Sequence, residues 1–424
     1  MSTSPSATPP VPARKPDQFG GPIGTVVLSL GMPAVTFYLW SAVAHHGGAL
    51  WLPRSWSELA AMVPAPTPTA ALLLAGWIAL QAALYVWAPA KVVQGWPTEH
   101  GERAEYRING LFAFVATMVL LLGGIVGGWI SPRAVLSHWG PLLTLCTGFA
   151  VLAALVCYVA GRRRGALERS SGHPIYDFYM GTILNPSIGR HDLKFFFESR
   201  VGMGAWGAFA ILLPAAELEA TGTISTAMLA VSLCQLFYII DFFVFESTLL
   251  TMIDIIEENL GFMLWFAFLV WMPFNFTLQQ QYVAVAQPQL PIAAAVGVVA
   301  LNFAGYYVFR TANLQKQGFR RDPTRKVWGK SPVTMDTARG TKLLLSGWWG
   351  LARHANYLGD LCMAWAWCLA CGFGSVVPYF YVLYFTPLLL DRERRDHEMC
   401  RRKYGADWDR YCEKVPWRII PWVY

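Results

Sequence analysis

Residues 343–360 read LLLSGWWGLARHANYLGD and are followed directly by a strongly apolar run, Leu361–Phe373. Interpreted as one helix, this stretch places five polar or aromatic side chains on a single stripe: Trp349, Arg353, Asn356, Tyr357 and Asp360. The apolar run predicts a membrane span, so the stripe would lie where a helix enters the membrane. Ionisable groups at that depth are costly unless they bind something, which favours a ligand site. The alternative is an interfacial belt in which aromatics anchor the helix and Arg353 pairs with Asp360.

The composition indicates a membrane protein. Of 424 residues, 55% are hydrophobic and only 14% are charged, and 19 are tryptophan. A chain this apolar, with long uncharged runs, is too hydrophobic for a soluble protein of its length. Basic loops beside a membrane explain the net charge of +7 better than a nucleic-acid surface, because no basic segment outside those loops is interleaved with aromatics. We therefore expect no nucleic-acid partner.

Apolar runs of about 20 residues predict an all-α, polytopic fold with about ten transmembrane helices and a cytoplasmic C-terminal amphipathic helix. The predicted spans are residues 22–45, 70–90, 109–131, 140–160, 201–218, 223–249, 260–278, 290–310, 355–373 and 375–390. With the N-terminus inside, the opposite side carries only Arg54 and Arg133 as basic residues. The positive-inside rule therefore predicts that both termini are cytoplasmic. Residues 1–20 are predicted to be a disordered tail, and residues 21–424 the membrane domain.

The eight cysteines are expected to form neither disulfides nor a metal site. Cys400 and Cys412 lie in a basic tail that is expected to face the reducing cytosol. Cys368 and Cys371 have the spacing of a redox or zinc motif, but no histidine or second pair accompanies them. Two small residues on one helix face explain this pair better.

The longest amphiphilic loop covers residues 161–200. It is rich in aromatic residues and carries several charged or phenolic side chains: Tyr176, Asp177, Tyr179, Asp192, Lys194 and Glu198. Two interpretations stay open. The loop is either a re-entrant or surface-lying cap on the bundle or a part of the functional site.

The predicted span 223–249 contains unusual polar residues, in the sequence SLCQLFYIIDFFVFEST. At 100° per residue, Tyr238, Asp241 and Glu246 share one face of about 140°. Two carboxylates facing a dry bundle tend to hold a proton, which a neighbouring phenol can relay. Polar contacts between helices are the alternative, and they explain one such residue better than three.

Two basic stretches lie beside predicted spans. In NLQKQGFRR (313–321), Lys316 and Arg320 lie one turn apart, and DRERRDHEMCRRKY (391–404) forms a second stripe. That stripe contains Arg392, Arg395, Asp396, Met399, Cys400, Lys403 and Tyr404. Binding of anionic lipids is the simpler interpretation, above all for Arg401 and Arg402. A phosphorylated ligand is the alternative, and with no Rossmann or Walker motif present, side chains would have to hold it.

These motifs resemble the membrane sterol reductases, which include the C14, C7 and C24(28) enzymes and the membrane domain of the lamin B receptor. The stretch 343–360 resembles the second family signature, and HPIYDFYMGTILNPSIG (173–189) resembles the first, with Ser187 where the family usually has arginine. Further matches follow in order: YRING (106–110), QLFYIID (235–241), GFMLWF (261–266) and KYGADWDRYCEKVPWRIIPWVY (403–424). The resemblance covers nearly all of the chain after residue 20.

The resemblance implies a ten-helix membrane enzyme that reduces a sterol double bond with NADPH, with the cofactor-binding half at about 200–424. Its implied cofactor contacts are Lys316, Arg320, Leu344, Trp349, Asn356, Tyr357, Asp396, Cys400, Arg401, Arg402, Lys403, Tyr404 and Tyr411. The two stripes add Arg353, Asp360, Arg392 and Arg395. The C-terminal sequence resembles the C14 branch, which implies a Δ14-sterol reductase. Glu258-Asn259 replaces the Asp-Gly that relatives often have before GFML.

An isolated carbon–carbon double bond is not electrophilic, so protonation must precede hydride transfer. We hypothesise that Tyr238, backed by Asp241 and Glu246, supplies the proton at C15. Alternatives are reduction of C7 or another sterol bond, an isoprenylcysteine-type methyltransferase that uses S-adenosylmethionine, a steroid 5α-reductase, and a non-catalytic sterol-binding scaffold. The alanine-rich composition favours a bacterial inner membrane over the endoplasmic reticulum. The sequence does not identify the sterol or the oligomeric state.

Overall fold

The computed structural model of the chain describes residues 18–97, 103–163 and 169–424. Residues 1–17, most of the predicted tail, lie outside the described residues. The described chain is mostly helical and forms two compact units. The first unit contains the described residues up to Ile224 together with Gln235–Val285, and the second contains Ser225–Cys234 and Ala286–Tyr424.

Among the described residues, seven helical segments are long and apolar enough to cross a membrane. They are Gln18–His46, Pro68–Trp87, Trp139–Arg163, Leu193–Thr221, Thr226–Val244, Phe262–Ala286 and Ile292–Arg321, and Gly110–Val126 is a shorter apolar helix. This confirms a polytopic membrane protein, while the count of ten spans stays a prediction. Only 17% of the most apolar 18-residue stretch within Pro68–Trp87 is buried inside the protein. Its exposed apolar surface therefore suits contact with lipid.

The first unit is built from thirteen α-helices, the tenth of which begins in the second unit. They are α1 (Gly21–His46), α2 (Trp56–Ala61), α3 (Pro68–Trp87), α4 (Gly110–Val126), α5 (Pro132–Leu136), α6 (Trp139–Arg163), α7 (Pro174–Met180), α8 (Leu193–Phe196), α9 (Met203–Thr221), α10 (Thr226–Val244), α11 (Ile253–Ile256), α12 (Phe262–Phe266) and α13 (Leu278–Ala286). Short 3₁₀ helices cover Gln18–Gly20 and Glu246–Thr251. Two antiparallel strand pairs are β1 (Lys91–Pro97) with β2 (Arg103–Ile108) and β3 (Ser187–Ile188) with β4 (His191–Asp192).

Two π-helical segments, Phe197–Gly202 and Ala267–Asn275, pack against each other inside the first unit. A Cβ atom at Gly202 would lie 2.6 Å from the carbonyl oxygen of Phe268, so a larger residue would push the two backbones apart. Buried amides bond nearby main-chain oxygens, as where Gln235 Nε2 donates to Phe276 O at 2.8 Å. Such internal partners are what a polar group needs in hydrocarbon.

The second unit contains α14 (Ile292–Arg321), β5 (Thr334–Asp336), β6 (Lys342–Leu344), α15 (Trp348–Leu351), α16 (Ala355–Leu369), α17 (Phe380–Tyr404) and α18 (Ala406–Lys414), with a 3₁₀ turn at Val377–Tyr379. The strands β5 and β6 pair antiparallel. Helices α14 and α16 pack backbone to backbone, because a Cβ at Gly359 would lie 2.5 Å from Gly305 O and one at Gly305 would lie 2.7 Å from Gly359 O. Small residues allow this approach, as they do between membrane helices in general.

The prediction of one helix over residues 343–360 is wrong. β6 ends at Leu344, α15 covers Trp348–Leu351, and α16 begins only at Ala355. In the break, the backbone N–H groups of Arg353 and His354 donate to Trp417 O (3.0 Å) and Arg418 O (2.8 Å). These bonds to the C-terminal segment replace the helical ones, so only Asn356, Tyr357 and Asp360 share a helix.

The last predicted span and the charged tail form one continuous helix, α17, with Pro387 inside it. Gly405 ends it with a φ of 56°, a left-handed conformation that glycine adopts without strain. The short helix α18 follows. Whether the charged half of α17 lies on a membrane surface stays a prediction.

Candidate functional site

The second unit brings three of the predicted cofactor residues together around one indole. The Lys316 ammonium lies 4.1 Å from the centroid of the Trp349 ring, a cation–π geometry. Trp349 Nε1 donates to Ala312 O at 2.8 Å, and the Tyr411 hydroxyl donates to Trp349 O at 3.3 Å. Leu344 packs in the same hydrophobic cluster as Trp349. This cluster fixes Lys316 at the end of α14.

A second group surrounds Cys400 on α17. Its thiol lies 3.9 Å from Asp396 Oδ2. Burial and the Asp396 charge raise the pKa of Cys400 to about 12, while Lys316, Lys403 and Arg320 act in the opposite direction. The thiol is therefore neutral at pH 7 and is a poor nucleophile or metal ligand. The Lys316, Lys403 and Arg320 side chains therefore all lie near the Cys400 thiol.

His354 is a site residue that the sequence analysis missed. Its ring stacks on Tyr357 at 4.8 Å and lies 3.5 Å from Asp396 Oδ2. Burial, together with the charges of Lys316, Arg353, Arg392 and His397, lowers the pKa of His354 to about 3. Asp396 would favour the charged imidazole, but burial and these cations outweigh it. Its position between Arg353 and Asn356 was the available sequence signal. The burial of its ring, however, depends on the helix break, which the sequence did not indicate.

Helix α16 presents an unused acceptor. Asn356 Oδ1 is buried and has no hydrogen-bond partner among the described residues. On the same helix, Tyr357 hydrogen-bonds Arg392, and Asp360 lies near the charges of Arg392 and Arg310. A buried amide oxygen without a partner is uncommon in a folded protein and suits a ligand that donates a hydrogen bond.

Arg353 has a different role from its neighbours on the predicted stripe. The Nη1 group donates to Cys412 Sγ at 2.7 Å and the Nη2 group donates to Pro416 O at 3.2 Å. The side chain is only 6% exposed. The pairing with Asp360 that the interfacial-belt alternative required is therefore not the one formed, and Arg353 fastens the C-terminal segment to the helix break.

Not all the predicted tail residues converge. Arg395 pairs with Asp391 at 3.0 Å, Arg401 with Asp409 at 3.5 Å, and Arg402 with Glu398 at 4.0 Å. Arg401 and Arg402 are 65% and 77% exposed, so these pairs are weak. Tyr404 stacks on Trp408, and Lys403 lies 5.2 Å from the Tyr404 ring. Lys403 and Tyr404 therefore belong with the Cys400 group, and the exposed arginines do not.

The proton-donor residues predicted for span 223–249 lie in the first unit, but they do not share one helix. α10 ends at Val244, and Glu246 begins the following 3₁₀ helix. Tyr238 packs against Trp206 with ring centroids 5.7 Å apart, and Asp241 is 7% exposed. The predicted common face therefore holds for Tyr238 and Asp241 and is wrong for Glu246.

Glu246 instead forms a buried ion pair with Arg200, and both side chains are 1% exposed. The other carboxylate oxygen accepts from Gly110 N at 2.7 Å, and Arg200 Nη2 donates to Asn109 Oδ1 at 2.9 Å. The Arg200 guanidinium also lies 5.3 Å from the Tyr85 ring centroid. A carboxylate with these partners is already neutralised and stabilises the fold.

Polar groups in the described part of the loop 161–200 bond both within the loop and to neighbouring segments of the first unit. Asp177 accepts from Ser171 N and Ser171 Oγ, both at 2.8 Å, and Tyr106 donates to Asp192 at 2.9 Å. Lys194 belongs to the span Leu193–Thr221, where Nζ donates to Ile255 O and Glu258 O at 3.0 and 2.7 Å. These bonds favour the capping interpretation.

Comparison with known proteins decides the family. A family model described as "Ergosterol biosynthesis ERG4/ERG24 family" matches residues 14–424. This chain belongs to the ERG4/ERG24 family. The Delta(14)-sterol reductase of Methylotuvimicrobium alcaliphilum is 45% identical over 410 residues, which cover 96% of each chain. The Delta(14)-sterol reductase of Dictyostelium discoideum is 37% identical over 96% of this chain and 91% of its own length.

The chicken Delta(14)-sterol reductase LBR is 37% identical over 97% of this chain but only 65% of its own length. The ERG4/ERG24 match covers both compact units. It confirms the resemblance on which the residue-by-residue expectations depend. Within this ERG4/ERG24 chain, the contacts described above separate residues that bond each other from those that keep unused polar groups.

Proposed function

We propose that this protein reduces the C14=C15 double bond of a sterol with NADPH. One observation carries the proposal: Lys316, Arg320 and Lys403 act together on the Cys400 thiol, with Lys316 held over the Trp349 ring, in a chain 45% identical to a Delta(14)-sterol reductase. A cluster of cations beside a single partly buried carboxylate, that of Asp396, suits a ligand with several phosphates. The alternative ligand S-adenosylmethionine is itself cationic and suits this cluster poorly.

The residues present fit NADPH. Lys316, Arg320 and Lys403 would hold its phosphates, and none of the three forms an ion pair within the described part of the chain. Asn356 Oδ1 would accept a hydrogen bond from the cofactor. NADPH supplies a hydride when bound. Trp349 and Tyr411 position Lys316 and would not contact NADPH through polar groups of their own.

The remaining chemistry is a proton transfer that the chain must perform. We assign it to Tyr238, whose hydroxyl is a donor, with Asp241 on the same face of α10. Protonation at C15 leaves a tertiary cation at C14, which the hydride then neutralises. Aromatic faces such as that of Trp206 beside Tyr238 would favour a cation. Glu246 is left out of this path because Arg200 already neutralises it.

The activity is tested with detergent-purified protein, NADPH and sterol dienes unsaturated at C14 or at C7, with products identified by mass. Turnover of the C14 diene alone is the expected result. Turnover of the C7 diene alone would instead assign reduction of the C7 double bond. Calorimetric titration with NADPH and with S-adenosylmethionine separates the reductase from a methyltransferase.

The proton donor is tested with Tyr238→Phe. Loss of one general acid is expected to lower kcat by about 10²- to 10⁴-fold while the affinity for NADPH is unchanged. Tyr158→Phe is the control, because it removes a hydroxyl of the first unit that bonds Arg162 at the surface. Full turnover by Tyr238→Phe would remove the assignment.

A further inference from the structure

A cavity of about 240 Å³ opens at the C-terminal end of α14, outside the residues assigned above to the cofactor. Its walls are Tyr307, Thr311 and Leu314 of α14 on one side and Arg325, Lys326 and Trp328 on the other. All of these belong to the second unit. The cavity therefore combines aromatic and apolar surface with two cations.

The length of α14 places this cavity at the edge of the membrane. α14 has 30 residues, and at about 1.5 Å per residue it is about 45 Å long, whereas the hydrocarbon is about 30 Å thick. If the span begins near Ile292, the hydrocarbon ends near Thr311. Tyr307 then lies at the boundary, where aromatic side chains are enriched. Arg325 and Lys326 lie at the level of the lipid headgroups.

The two cations have spare binding capacity. Arg325 and Lys326 are exposed, and neither forms an ion pair within the described part of the chain. The acid nearest in sequence, Asp322, accepts hydrogen bonds from Thr324 N at 2.9 Å and from Thr324 Oγ1 at 2.6 Å. On the opposite wall, Thr311 Oγ1 accepts from Trp348 Nε1 at 2.8 Å. Arg325 acts on the charge of Asp322, but neither cation is held in a close ion pair among the described residues, so both can contact a bound anion.

Trp328 is displayed at a backbone cost. Its φ is 51° and that of Gly329 is 77°, in a tight turn closed by bonds of 2.9 and 3.1 Å between Val327 and Lys330. A left-handed conformation costs a residue with a Cβ about 1–2 kcal/mol. The indole is nevertheless 55% exposed. Its ring meets Trp348 edge to face at 5.4 Å, and the exposed remainder suits insertion into a boundary between water and lipid.

We propose that this cavity binds a phospholipid with an anionic headgroup. Arg325 and Lys326 contact the headgroup phosphate, and Trp328 with Tyr307 flanks the first carbons of an acyl chain along Leu314. Charge complementarity selects an anionic lipid, and the position at the end of a span selects a lipid over a soluble anion. The proposal does not depend on the reductase activity.

Native mass spectrometry of the full-length protein in detergent tests the site, with phosphatidylglycerol and phosphatidylcholine as probes. We expect R325Q/K326Q to bind phosphatidylglycerol about 30-fold more weakly, which is about 2 kcal/mol at ~1 kcal/mol per basic residue. Its affinity for phosphatidylcholine should not change. K342Q/K414Q removes the same charge from exposed positions outside the cavity and should retain the preference of the wild type.

Trp328→Gly is the second variant, because glycine accepts the positive φ and the turn should persist. This variant should bind both lipids more weakly by a similar factor and keep the preference for phosphatidylglycerol. An unchanged preference in R325Q/K326Q would overturn the proposal. So would an equal loss in K342Q/K414Q, or displacement of phosphatidylglycerol by excess inorganic phosphate, which would reveal a site for the free anion.

Discussion

Replacing Glu246 with glutamine separates a structural role from a catalytic one. Glu246 and Arg200 are each 1% exposed and paired with each other. The substitution keeps the shape of the side chain but removes its charge, which leaves the Arg200 guanidinium buried without a counter-ion. Removing one partner of a buried pair typically costs about 3–5 kcal/mol.

Two features of the site set the expected magnitude at the lower end of that range, about 3 kcal/mol. Arg200 keeps its hydrogen bonds to Asn109 Oδ1 and to Ser199 Oγ (3.1 Å), and its stacking on Tyr85. The new amide can still accept from Gly110 N. The double variant R200Q/E246Q removes both charges, so it should cost less than the sum of the two single variants.

The assay is thermal unfolding in detergent, followed in parallel with NADPH-dependent turnover of the folded fraction. Glu413→Gln, an exposed position on α18, is the control and should change neither quantity. We expect Glu246→Gln to lower the unfolding temperature clearly while the folded fraction keeps its turnover. Wild-type stability combined with lost turnover would refute this reasoning and restore Glu246 to the proton path.

Three further perturbations test the second unit. Gly359→Ala on α16 should destabilise the protein by about 1–3 kcal/mol in thermal melts, because a Cβ there would lie 2.5 Å from Gly305 O of α14. Gly297→Ala on α14, where a Cβ meets nothing within 4 Å, should not. Stability should fall as the pH drops below 6.5, because His354 then binds a proton in the unfolded state but stays neutral in the folded state down to its pKa of about 3. The expected loss in the free energy of unfolding is about 1.4 kcal/mol by pH 5.5 and is absent above pH 7.5. His354→Gln should abolish this part of the pH dependence. Asn356→Ala should weaken NADPH by about 2- to 10-fold in a calorimetric titration, with no loss of stability because its Oδ1 has no partner among the described residues.

The sequence was most informative where one local property decides the outcome. Apolar runs predicted the spans because burial in lipid needs about 20 apolar residues whatever the neighbours are. Lys316 and Arg320 could be recognised because helix periodicity alone places them on one side of α14. The family resemblance then identified Trp349 and Tyr411, whose mutual hydrogen bond spans 62 positions and has no local signal.

The errors arose where distant residues compete with local preference. Arg353 and His354 leave the helical path because main-chain oxygens of Trp417 and Arg418 accept their N–H groups, and no pattern within 343–360 contains that information. Likewise, Glu246 was assigned to the face of Tyr238 because α10 was extrapolated past Val244. Its partner Arg200 is 46 positions away.

A polar residue in a membrane protein is therefore best judged by whether the protein itself satisfies it. Arg353 and Glu246 are as conspicuous in the sequence as Lys316 and Asn356, yet both direct their polar groups to partners within the chain. Lys316 lies over the Trp349 ring without an ion pair, and the Asn356 oxygen has no partner, among the described residues. Since an unsatisfied buried group costs about 1–3 kcal/mol, its retention is explained by a ligand that satisfies it. The same criterion assigns Arg325 and Lys326 to a lipid, because both are exposed and neither forms an ion pair within the described part of the chain.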